Sequence, residues 1–313
     1  MTTPTAKGTP PLALLCGDPA GVGPEIIARW LLSAPANCRG IVPVGPRAWL
    51  DTLPVGGIAV GDADYATAPG KPDANGQRIA WEALEVGADG CQRGVFGGVV
   101  TGPINKAQMA SVGYPFPGQT EFFAARWGGE PIMAFAGGRM SVVLATWHIP
   151  LAAVGPVLSP ALLGRAVAAA DFLARGLGTS KLPPRIGVCG LNPHAGEDGL
   201  LGTDERKRLN PWLEALRDAH PSLSPCLPSD SLFWRHLQGE FDVVVALYHD
   251  QGLTPLKTLE FAQSVNLTLG LPFLRTSPDH GTAYAIAGTG TASLTSWDNA
   301  VRLARRLADK KPG

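Results

Sequence analysis

Three of the six histidines directly follow apolar runs that are typical of buried strands. His148 follows residues 142–147, His194 follows 187–193 and His249 follows 243–248. The carboxyl ends of parallel strands lie at one edge of a sheet, where open α/β folds bind their ligands. Three neutral imidazoles at that edge suit a zinc ion and leave a fourth coordination position for substrate or water. The shared placement predicts a metal site, with a hydrogen-bonded role at a strand end as the alternative for any single histidine.

Charged side chains extend this candidate site. Carboxylates next to metal-bound histidines commonly orient the imidazole ring, and the acidic residues near the three histidines are Glu197, Asp198, Asp230 and Asp250. Two basic residues could hold an anionic substrate: Lys257, eight residues after His249, and Arg275, directly after the apolar residues 271–274. Burying an unpaired guanidinium is costly, so a fixed anion is the expected partner of Arg275.

The elements that position these residues are strands and helices in alternation. Short apolar runs are separated by longer amphipathic stretches, one of which begins with Ser159 as N-cap and Pro160 at the first helical position. This pattern predicts α/β layers with a largely parallel sheet. A length of 313 residues favours two domains.

Composition excludes several classes of protein. The 26 basic and 26 acidic residues balance, which argues against binding nucleic acid or an anionic membrane surface. The five cysteines are widely spaced, as in a reduced, cytoplasmic protein. Residues 141–164 carry no charge, but three prolines interrupt them, so we predict no membrane span. The predicted protein is therefore cytoplasmic, with a small-molecule substrate.

Six segments resemble, in the same order along the chain, the motifs of the 4-hydroxythreonine-4-phosphate dehydrogenase (PdxA) family. They are 17–25 (GDPAGVGPE), 101–103 (TGP), 118–123 (GQTEFF), 190–197 (GLNPHAGE), 248–252 (YHDQG) and 266–277 (NLTLGLPFLRTS). The match covers nearly the whole chain.

The resemblance implies an enzyme of pyridoxal 5'-phosphate (vitamin B6) biosynthesis that uses NAD or NADP and a divalent metal. It would oxidise the secondary alcohol of 4-phosphooxy-L-threonine, a small phosphorylated hydroxy amino acid. The resulting β-keto acid would lose carbon dioxide to give 3-amino-2-oxopropyl phosphate. Histidine ligands favour zinc as the metal, with magnesium, cobalt and manganese as the alternatives.

The family's functional residues map onto this sequence. Its metal ligands correspond to His148, His194 and His249, which the strand-end argument also selects. Its substrate contacts correspond to Thr120, Lys257, Asn266 and Arg275, and Gln119 occupies a position where the family has histidine. Glutamine forms hydrogen bonds, but it carries no charge and cannot transfer a proton. Gln119 is therefore expected to affect either which substrate binds or what this position does.

Two further roles complete the expected site. The cofactor loop is expected at residues 279–290, with His280, Gly281 and Gly288 as contacts. The catalytic candidates are Lys257, which would fix the substrate, and Asp250 and Asp230, which compete with water as the proton acceptor.

The family's fold is similar to that of isocitrate and isopropylmalate dehydrogenases. It implies two α/β/α domains in an obligate homodimer, with the active site in the interdomain cleft at the dimer interface and metal ligands from both subunits. The first domain would comprise residues 1–115 plus 262–313 and contain both termini. The second, residues 116–261, would carry the metal-binding histidines and the dimer contacts.

The sequence leaves three other functions open. A related dehydrogenase could act on another four-carbon phosphate, such as threonate or erythronate 4-phosphate, or on a dihydrodiol carboxylate. A hydrolase or lyase could use the three histidines and a metal to activate water without a nicotinamide. A non-catalytic binding protein would tolerate His194→Ala without loss of function.

Overall fold

The computed structural model describes residues 9–178, 183–308 and 310. The chain divides into two compact units, with boundaries after Gly128 and after Leu271. Unit 1 contains the residues up to Gly128 and those from Pro272 onward, and unit 2 contains the residues between them.

Strands and helices alternate along the described residues, as the sequence pattern predicts. The strands are β1 (Leu12–Leu15), β2 (Ile41–Gly45), β3 (Ile58–Ala59), β4 (Gly98–Thr101), β5 (Ile132–Ala136), β6 (Ser141–Leu144), β7 (Ile186–Cys189), β8 (Leu223–Leu227), β9 (Val243–Ala246), β10 (Val265–Leu269) and β11 (Leu274–Pro278). The α-helices are α1 (Gly23–Ser33), α2 (Arg47–Leu50), α3 (Ala74–Gln92), α4 (Lys106–Ser111), α5 (Gln119–Trp127), α6 (Leu151–Val157), α7 (Pro160–Leu177), α8 (Asn210–Glu214), α9 (Ser229–Leu237), α10 (His249–Glu260) and α11 (Thr295–Ala308).

Unit 1 is built on a parallel sheet with strand order β3-β2-β1-β4-β11. Every residue of β1, β4 and β11 is buried. Burial suits the apolar sequences of β1 and most of β4, whereas β11 buries Arg275, Thr276 and Ser277. Helix α3 begins at an N-cap, where Oδ1 of Asp73 accepts a hydrogen bond of 2.7 Å from the backbone N–H of Gly76. Because they pair parallel, strands β1, β4 and β11 end at the same edge of the sheet, where polar loops follow them.

Unit 2 is built on a mixed sheet with strand order β10-β5-β6-β9-β7-β8. Strands β10, β5 and β6 pair antiparallel, whereas β6, β9, β7 and β8 pair parallel. The predicted start of α7 is confirmed, because the hydroxyl of Ser159 accepts a hydrogen bond from the N–H of Leu162. The predicted α/β class with a largely parallel sheet is confirmed as well.

The boundaries between the units differ from the predicted divisions after residues 115 and 261. Helix α5 belongs to unit 1, where Trp127 stacks on Phe123 and donates its indole N–H to the carbonyl of Ala88 in α3. Strand β10 belongs to unit 2, because all five of its residues pair with β5. Tertiary packing of these two elements moves each boundary toward the carboxyl terminus of the predicted one.

Within the described ranges, no single helix is both long and apolar enough to cross a membrane. Helices α6 and α7 reach that length and composition only together, and they are bent by 99° relative to each other.

Candidate functional site

Two of the three predicted metal ligands meet at one edge of the unit 2 sheet. His148 follows β6 and His249 begins α10 directly after β9, and these two strands are parallel neighbours. The centroids of the two imidazole rings are 5.6 Å apart. Two imidazoles that bind one zinc ion through Zn–N bonds of roughly 2.0 Å place their centroids about 5 Å apart. The spacing of His148 and His249 therefore fits two adjacent ligands of a single metal.

A cavity of about 250 Å³ adjoins this pair. Its polar wall includes His148, His249 and Asp250, and its apolar wall includes Ile149 and Leu151. A small polar group can thus approach both imidazoles within unit 2.

The carboxylate of Asp250 contacts the imidazole ring of its neighbour His249. Nδ1 of His249 lies 2.7 Å from Oδ1 of Asp250. If Nδ1 carries the hydrogen and donates it to the carboxylate, the lone pair of Nε2 is free to bind a metal. The Asp250 side chain is otherwise 81% exposed, so this contact is its main constraint within the chain.

The backbone at two of the predicted ligands is strained. His148 has φ of +48° and His194 has φ of +51°, in the left-handed region that non-glycine residues rarely adopt. Positive φ continues through the five residues that follow His194. The left-handed conformation costs roughly 1–2 kcal/mol per L-residue. Such strain is concentrated at functional sites, which supports a functional role for both histidines.

His194 does not join the other two imidazoles within one chain. Its Nδ1 lies 4.0 Å from Oε2 of Glu197, and its side chain is 58% exposed. Among the residues that the structure describes, no group of three or more His, Cys, Asp or Glu side chains is arranged to hold a metal ion. The single chain therefore presents a pair of candidate ligands and a third candidate apart from them.

The remaining acidic candidates have local contacts. Asp230 lies in the first turn of α9, is exposed, and accepts a hydrogen bond of 3.0 Å from the N–H of Ser231. The carbonyl of Asp198 accepts a hydrogen bond from the Arg206 guanidinium. Neither contact connects these residues to His148 or His249.

Unit 1 contains a buried polar group around Arg275 on β11. Its Nε donates to the hydroxyl of Thr101 at 3.2 Å, and its Nη2 donates to Oε1 of Gln119 at 3.0 Å. Burial lowers the pKa of the guanidinium to about 10 because the charged form loses solvation, an effect that Tyr114, Glu121 and Asp279 partly oppose.

Gln119 is held at both ends of its amide. Nε2 donates a hydrogen bond of 3.0 Å to the carbonyl of Gly102, while Oε1 accepts from Arg275. The amide orientation is therefore fixed, and Gln119 in turn fixes Arg275. The sequence predicts an anion as the partner of Arg275, whereas two partners of Arg275 within the chain are a hydroxyl and a carboxamide. Thr101 was not predicted as a site residue, although the position of Thr101 at the end of β4, before Gly102, could have indicated it.

The other predicted substrate contacts lie in both units. Thr120 is buried beside Gln119 in the first turn of α5 of unit 1. In unit 2, Lys257 lies on α10 with its ammonium 5.7 Å from the ring centroid of Phe261. Asn266 lies on β10 opposite Phe135 of β5.

Within unit 1, hydrogen bonds join the predicted cofactor loop to residues 17–25. The N–H of Gly288 donates a hydrogen bond of 2.7 Å to Oε2 of Glu25. The hydroxyl of Tyr284 donates to the buried carboxyl of Asp18 at 2.5 Å. His280 and Gly281 lie on its outer part, where Nδ1 of His280 is 3.0 Å from the Gly281 carbonyl oxygen. Asp18 and Glu25 are contacts that sequence reasoning did not assign.

This chain is similar to proteins described as PdxA or 4-hydroxythreonine-4-phosphate dehydrogenase. A family model for pyridoxal phosphate biosynthetic protein PdxA matches residues 36–304. A 4-hydroxythreonine-4-phosphate dehydrogenase from Xanthobacter autotrophicus is 42% identical over 96% of this chain and 94% of its own length. The crystal structure of 4-hydroxythreonine-4-phosphate dehydrogenase from Klebsiella pneumoniae is 31% identical with a TM-score of 0.81, covering 96% of this chain and 99% of that one.

Two further solved structures resemble this chain at lower sequence identity. A terephthalate 1,2-cis-dihydrodiol dehydrogenase from Burkholderia xenovorans is 27% identical with a TM-score of 0.71, covering 94% of this chain and 97% of that one. A β-decarboxylating dehydrogenase from Thermococcus kodakarensis is 15% identical with a TM-score of 0.51, covering 95% and 83%. At that identity the likeness concerns the fold alone, and it agrees with the predicted fold class.

Proposed function

Because this chain belongs to the PdxA family, which acts in vitamin B6 biosynthesis, we propose that it catalyses the NAD(P)-dependent oxidation of 4-phosphooxy-L-threonine. Decarboxylation of the product would then give 3-amino-2-oxopropyl phosphate. The observation that carries the proposal is the approach of His148 and His249 at the end of β6 and β9, together with a PdxA match that spans most of the chain.

The metal is proposed to bind His148, His194 and His249. The imidazole donor set favours zinc over magnesium, manganese or cobalt. When bound, a divalent metal lowers the pKa of a substrate hydroxyl and stabilises negative charge on its oxygen. Asp250 holds the His249 ring so that Nε2 faces outward, and the left-handed backbone at His148 and His194 sets the direction of both side chains.

Arg275 is proposed to bind an anionic group of the substrate, assisted by Gln119, Thr120, Lys257 and Asn266. Its guanidinium is already buried and oriented by Thr101 and Gln119, so little orientational entropy is lost when the substrate binds. Gln119 contributes hydrogen bonds alone, because an amide neither gains nor loses a proton near neutral pH.

Proton removal has two remaining candidates. Asp250 acts through His249 in this proposal, so the acceptor is either Asp230 or solvent water. The pH profile of Asp230→Asn separates them: loss of an acidic limb in kcat assigns the proton to Asp230, and an unchanged profile assigns it to water.

The nicotinamide cofactor is proposed to bind along residues 279–290, with His280, Gly281 and Gly288 in contact with it. When bound, NAD or NADP accepts the hydride. Hydrogen bonds from Gly288 to Glu25 and from Tyr284 to Asp18 hold this loop in place before the cofactor arrives.

A homodimer is proposed, in which both copies contribute ligands to each metal. Two observations support it. The three candidate histidines do not form one group within the described part of a single chain. In addition, eight of the twelve large apolar side chains that are exposed in the described residues belong to unit 2: Ile149, Leu151, Val157, Leu200, Leu201, Trp234, Leu259 and Phe261. A second copy that covers this surface would remove it from water.

The test is a dehydrogenase assay of the purified protein with 4-phosphooxy-L-threonine, NAD and NADP separately, and a chelator control. We expect reduction of one or both nicotinamides, with activity that the chelator abolishes and zinc restores. Metal-dependent hydrolysis without nicotinamide reduction would favour a hydrolase or lyase, and binding without turnover would favour a non-catalytic role.

A related dehydrogenase reaction is the second candidate. Gln119 favours it, since the PdxA motif has histidine there, and so does the 27% identity to the terephthalate dihydrodiol dehydrogenase. Parallel assays with threonate 4-phosphate, erythronate 4-phosphate and a dihydrodiol carboxylate would give the ratio of kcat/KM values. A site that uses its buried cation for phosphate loses much of its kcat/KM when the phosphate is missing.

A further inference from the structure

The loop that carries His194 adopts an unusual backbone course. Six consecutive residues, 194–199, have positive φ, and four of them are not glycine. Conformations of this kind persist only when the surrounding structure holds them in place. Something outside the loop must therefore fix it.

The carboxyl group of Glu205 is positioned to do so. Its Oε1 accepts hydrogen bonds from two consecutive backbone N–H groups, those of Leu191 at 2.8 Å and Asn192 at 2.7 Å. Its Oε2 accepts a third from the side-chain amide of Asn192 at 3.0 Å. Glu205 is 2% exposed, and it opens a π-helical turn, Glu205–Leu209, whose last residue is also buried.

The loop packs directly on this carboxyl group. A Cβ added to Gly196 would lie 2.7 Å from Oε2 of Glu205, and one added to Gly202 would lie 2.4 Å from the Asn192 amide. Neither glycine can be replaced by a residue with a side chain unless the carboxyl group or its partner is displaced. Glu205 therefore contacts the segment before His194 through hydrogen bonds and the segment after it through close packing.

We propose that Glu205 is a positioning residue, which holds the left-handed loop and thereby aims the imidazole of His194 at the metal. This inference rests on the proposed function, in which His194 is a ligand. Glu205 itself touches neither metal nor substrate, and it acts through the backbone of Leu191 and Asn192.

The experiment compares Glu205→Ala with Glu205→Gln, His194→Ala and a matched control. The control is Glu214→Ala, because Glu214 lies nine residues further along, is 66% exposed and forms an ion pair with Arg217. Three quantities are measured on each full-length protein: hydrogen exchange of the Leu191 and Asn192 amides without metal, zinc affinity by chelator competition, and the absorption spectrum of the cobalt-loaded protein.

In Glu205→Ala, we expect exchange at Leu191 and Asn192 to accelerate at least about tenfold, because both N–H groups lose their acceptor. Zinc affinity should fall about 10–100-fold, as is typical when the group that orients a ligand is removed. The cobalt spectrum should change in the same sense as in His194→Ala. Glu205→Gln keeps one oxygen that can accept both N–H groups, so it should restore most of the protection and affinity. Glu214→Ala should match the unmodified protein.

Two results would overturn the inference. One is unchanged amide exchange in Glu205→Ala. The other is faster exchange with unchanged zinc affinity and cobalt spectrum, while His194→Ala alters both. If His194→Ala alters neither, the ligand set of the proposed function fails instead, and the exchange data alone decide whether Glu205 holds the loop. Should Glu205→Ala not fold, a Glu205→Gln variant that exchanges like the unmodified protein but has lost zinc affinity overturns the positioning role.

Discussion

The two units of this chain prepare their candidate site residues in opposite ways. In unit 1, Arg275, Gln119 and Thr101 are buried and hydrogen-bonded to one another. In unit 2, His148 and His194 are exposed and strained, and the histidines do not form a complete ligand set within the described residues of one chain. The proposed anion site of unit 1 is therefore preformed, whereas the proposed ligand set of unit 2 is incomplete within the described residues of one chain.

The difference shows how each unit offsets an unfavourable free energy, which is the burial of a charge in unit 1 and backbone strain in unit 2. Unit 1 buries a cation during folding and stabilises it with neutral hydrogen-bond acceptors from β4 and α5. Unit 2 leaves the side chains of His148 and His194 exposed and stores backbone strain at both residues. Binding of a metal to the folded state would offset that strain. Variants in unit 1 should thus alter substrate affinity without altering metal content, and variants at the unit 2 histidines should do the reverse.

The largest expected effect is at the unit 2 pair. His148→Ala or His249→Ala should lower kcat/KM at least about a thousandfold, because a missing ligand removes the metal that stabilises the alkoxide. Zinc content, measured by elemental analysis after dialysis, should fall in parallel while the thermal unfolding midpoint without metal stays within a few degrees. His220→Ala, which changes a histidine paired with Asp171, is the control and should keep its zinc. Full zinc content and activity in both variants would remove the distinction between the units.

The next effect tests the preformed site of unit 1. Arg275→Met should raise the KM of the substrate about 10–100-fold, since a hydrogen bond to a charged group contributes roughly 1.5–3 kcal/mol. Zinc content should not change, whereas the free energy of unfolding should fall by about 1–3 kcal/mol, because Thr101 and Gln119 lose the donor to their buried oxygen atoms. Steady-state kinetics and denaturant unfolding measure the two. Arg126→Met, at a half-exposed ion pair with Glu85, is the control for losing a guanidinium. A fall in zinc content would contradict the separation.

A smaller effect is expected at the cofactor loop of unit 1. Tyr284→Phe removes the hydroxyl that donates to Asp18, so the loop should be less firmly held and the KM of the nicotinamide should rise a few-fold. Loss of one such hydrogen bond corresponds to about 1 kcal/mol. Tyr65→Phe removes a longer, exposed contact to Asp73 and should leave this KM unchanged. Equal KM values in both variants would mean that the loop needs no such anchor.

The smallest effect concerns the core of unit 2. Nε2 of the buried His236 accepts the N–H of Ser141 at the start of β6, and its Nδ1 lies 2.8 Å from the carbonyl oxygen of Phe241. Burial lowers the pKa of His236 below its ordinary value of 6.5, despite the nearby carboxyl groups of Asp242 and Glu260. The unfolded chain therefore binds this proton more readily, so the free energy of unfolding should decrease as the pH falls below about 6.5.

The decrease from one histidine is at most about 1.4 kcal/mol per pH unit. Urea unfolding at pH 7.5 and pH 5.0 measures it, and His236→Gln should show a shallower pH dependence than the unmodified protein. An identical slope in the two proteins would exclude His236 as its source.

Several features followed from the sequence because they depend on local pattern. The strands before His148, His194 and His249 are buried runs of apolar residues, and the Ser159 cap depends on a serine followed by proline. The contact between His249 and Asp250 joins adjacent residues. These are interactions over a few residues, so residue type and spacing suffice to predict them.

Other features depended on packing between distant segments. In the sequence, charged neighbours surround His236, a setting that indicates a solvated side chain, yet the fold buries it against the start of β6 and the carbonyl of Phe241. The assignment of α5 to unit 1 and of β10 to unit 2 follows from contacts with α3 and β5, which local pattern does not contain.

The sequence by itself determined the α/β class, the PdxA membership and the three histidines at strand ends, because periodicity and ordered motifs are properties of the chain. Only the tertiary structure decided that Gln119 clamps Arg275, that Glu205 anchors the His194 loop, and that two imidazoles approach while the third lies apart. Those outcomes depend on contacts between residues that are 13 to 156 positions apart in the sequence, and such contacts are set by how the backbone packs.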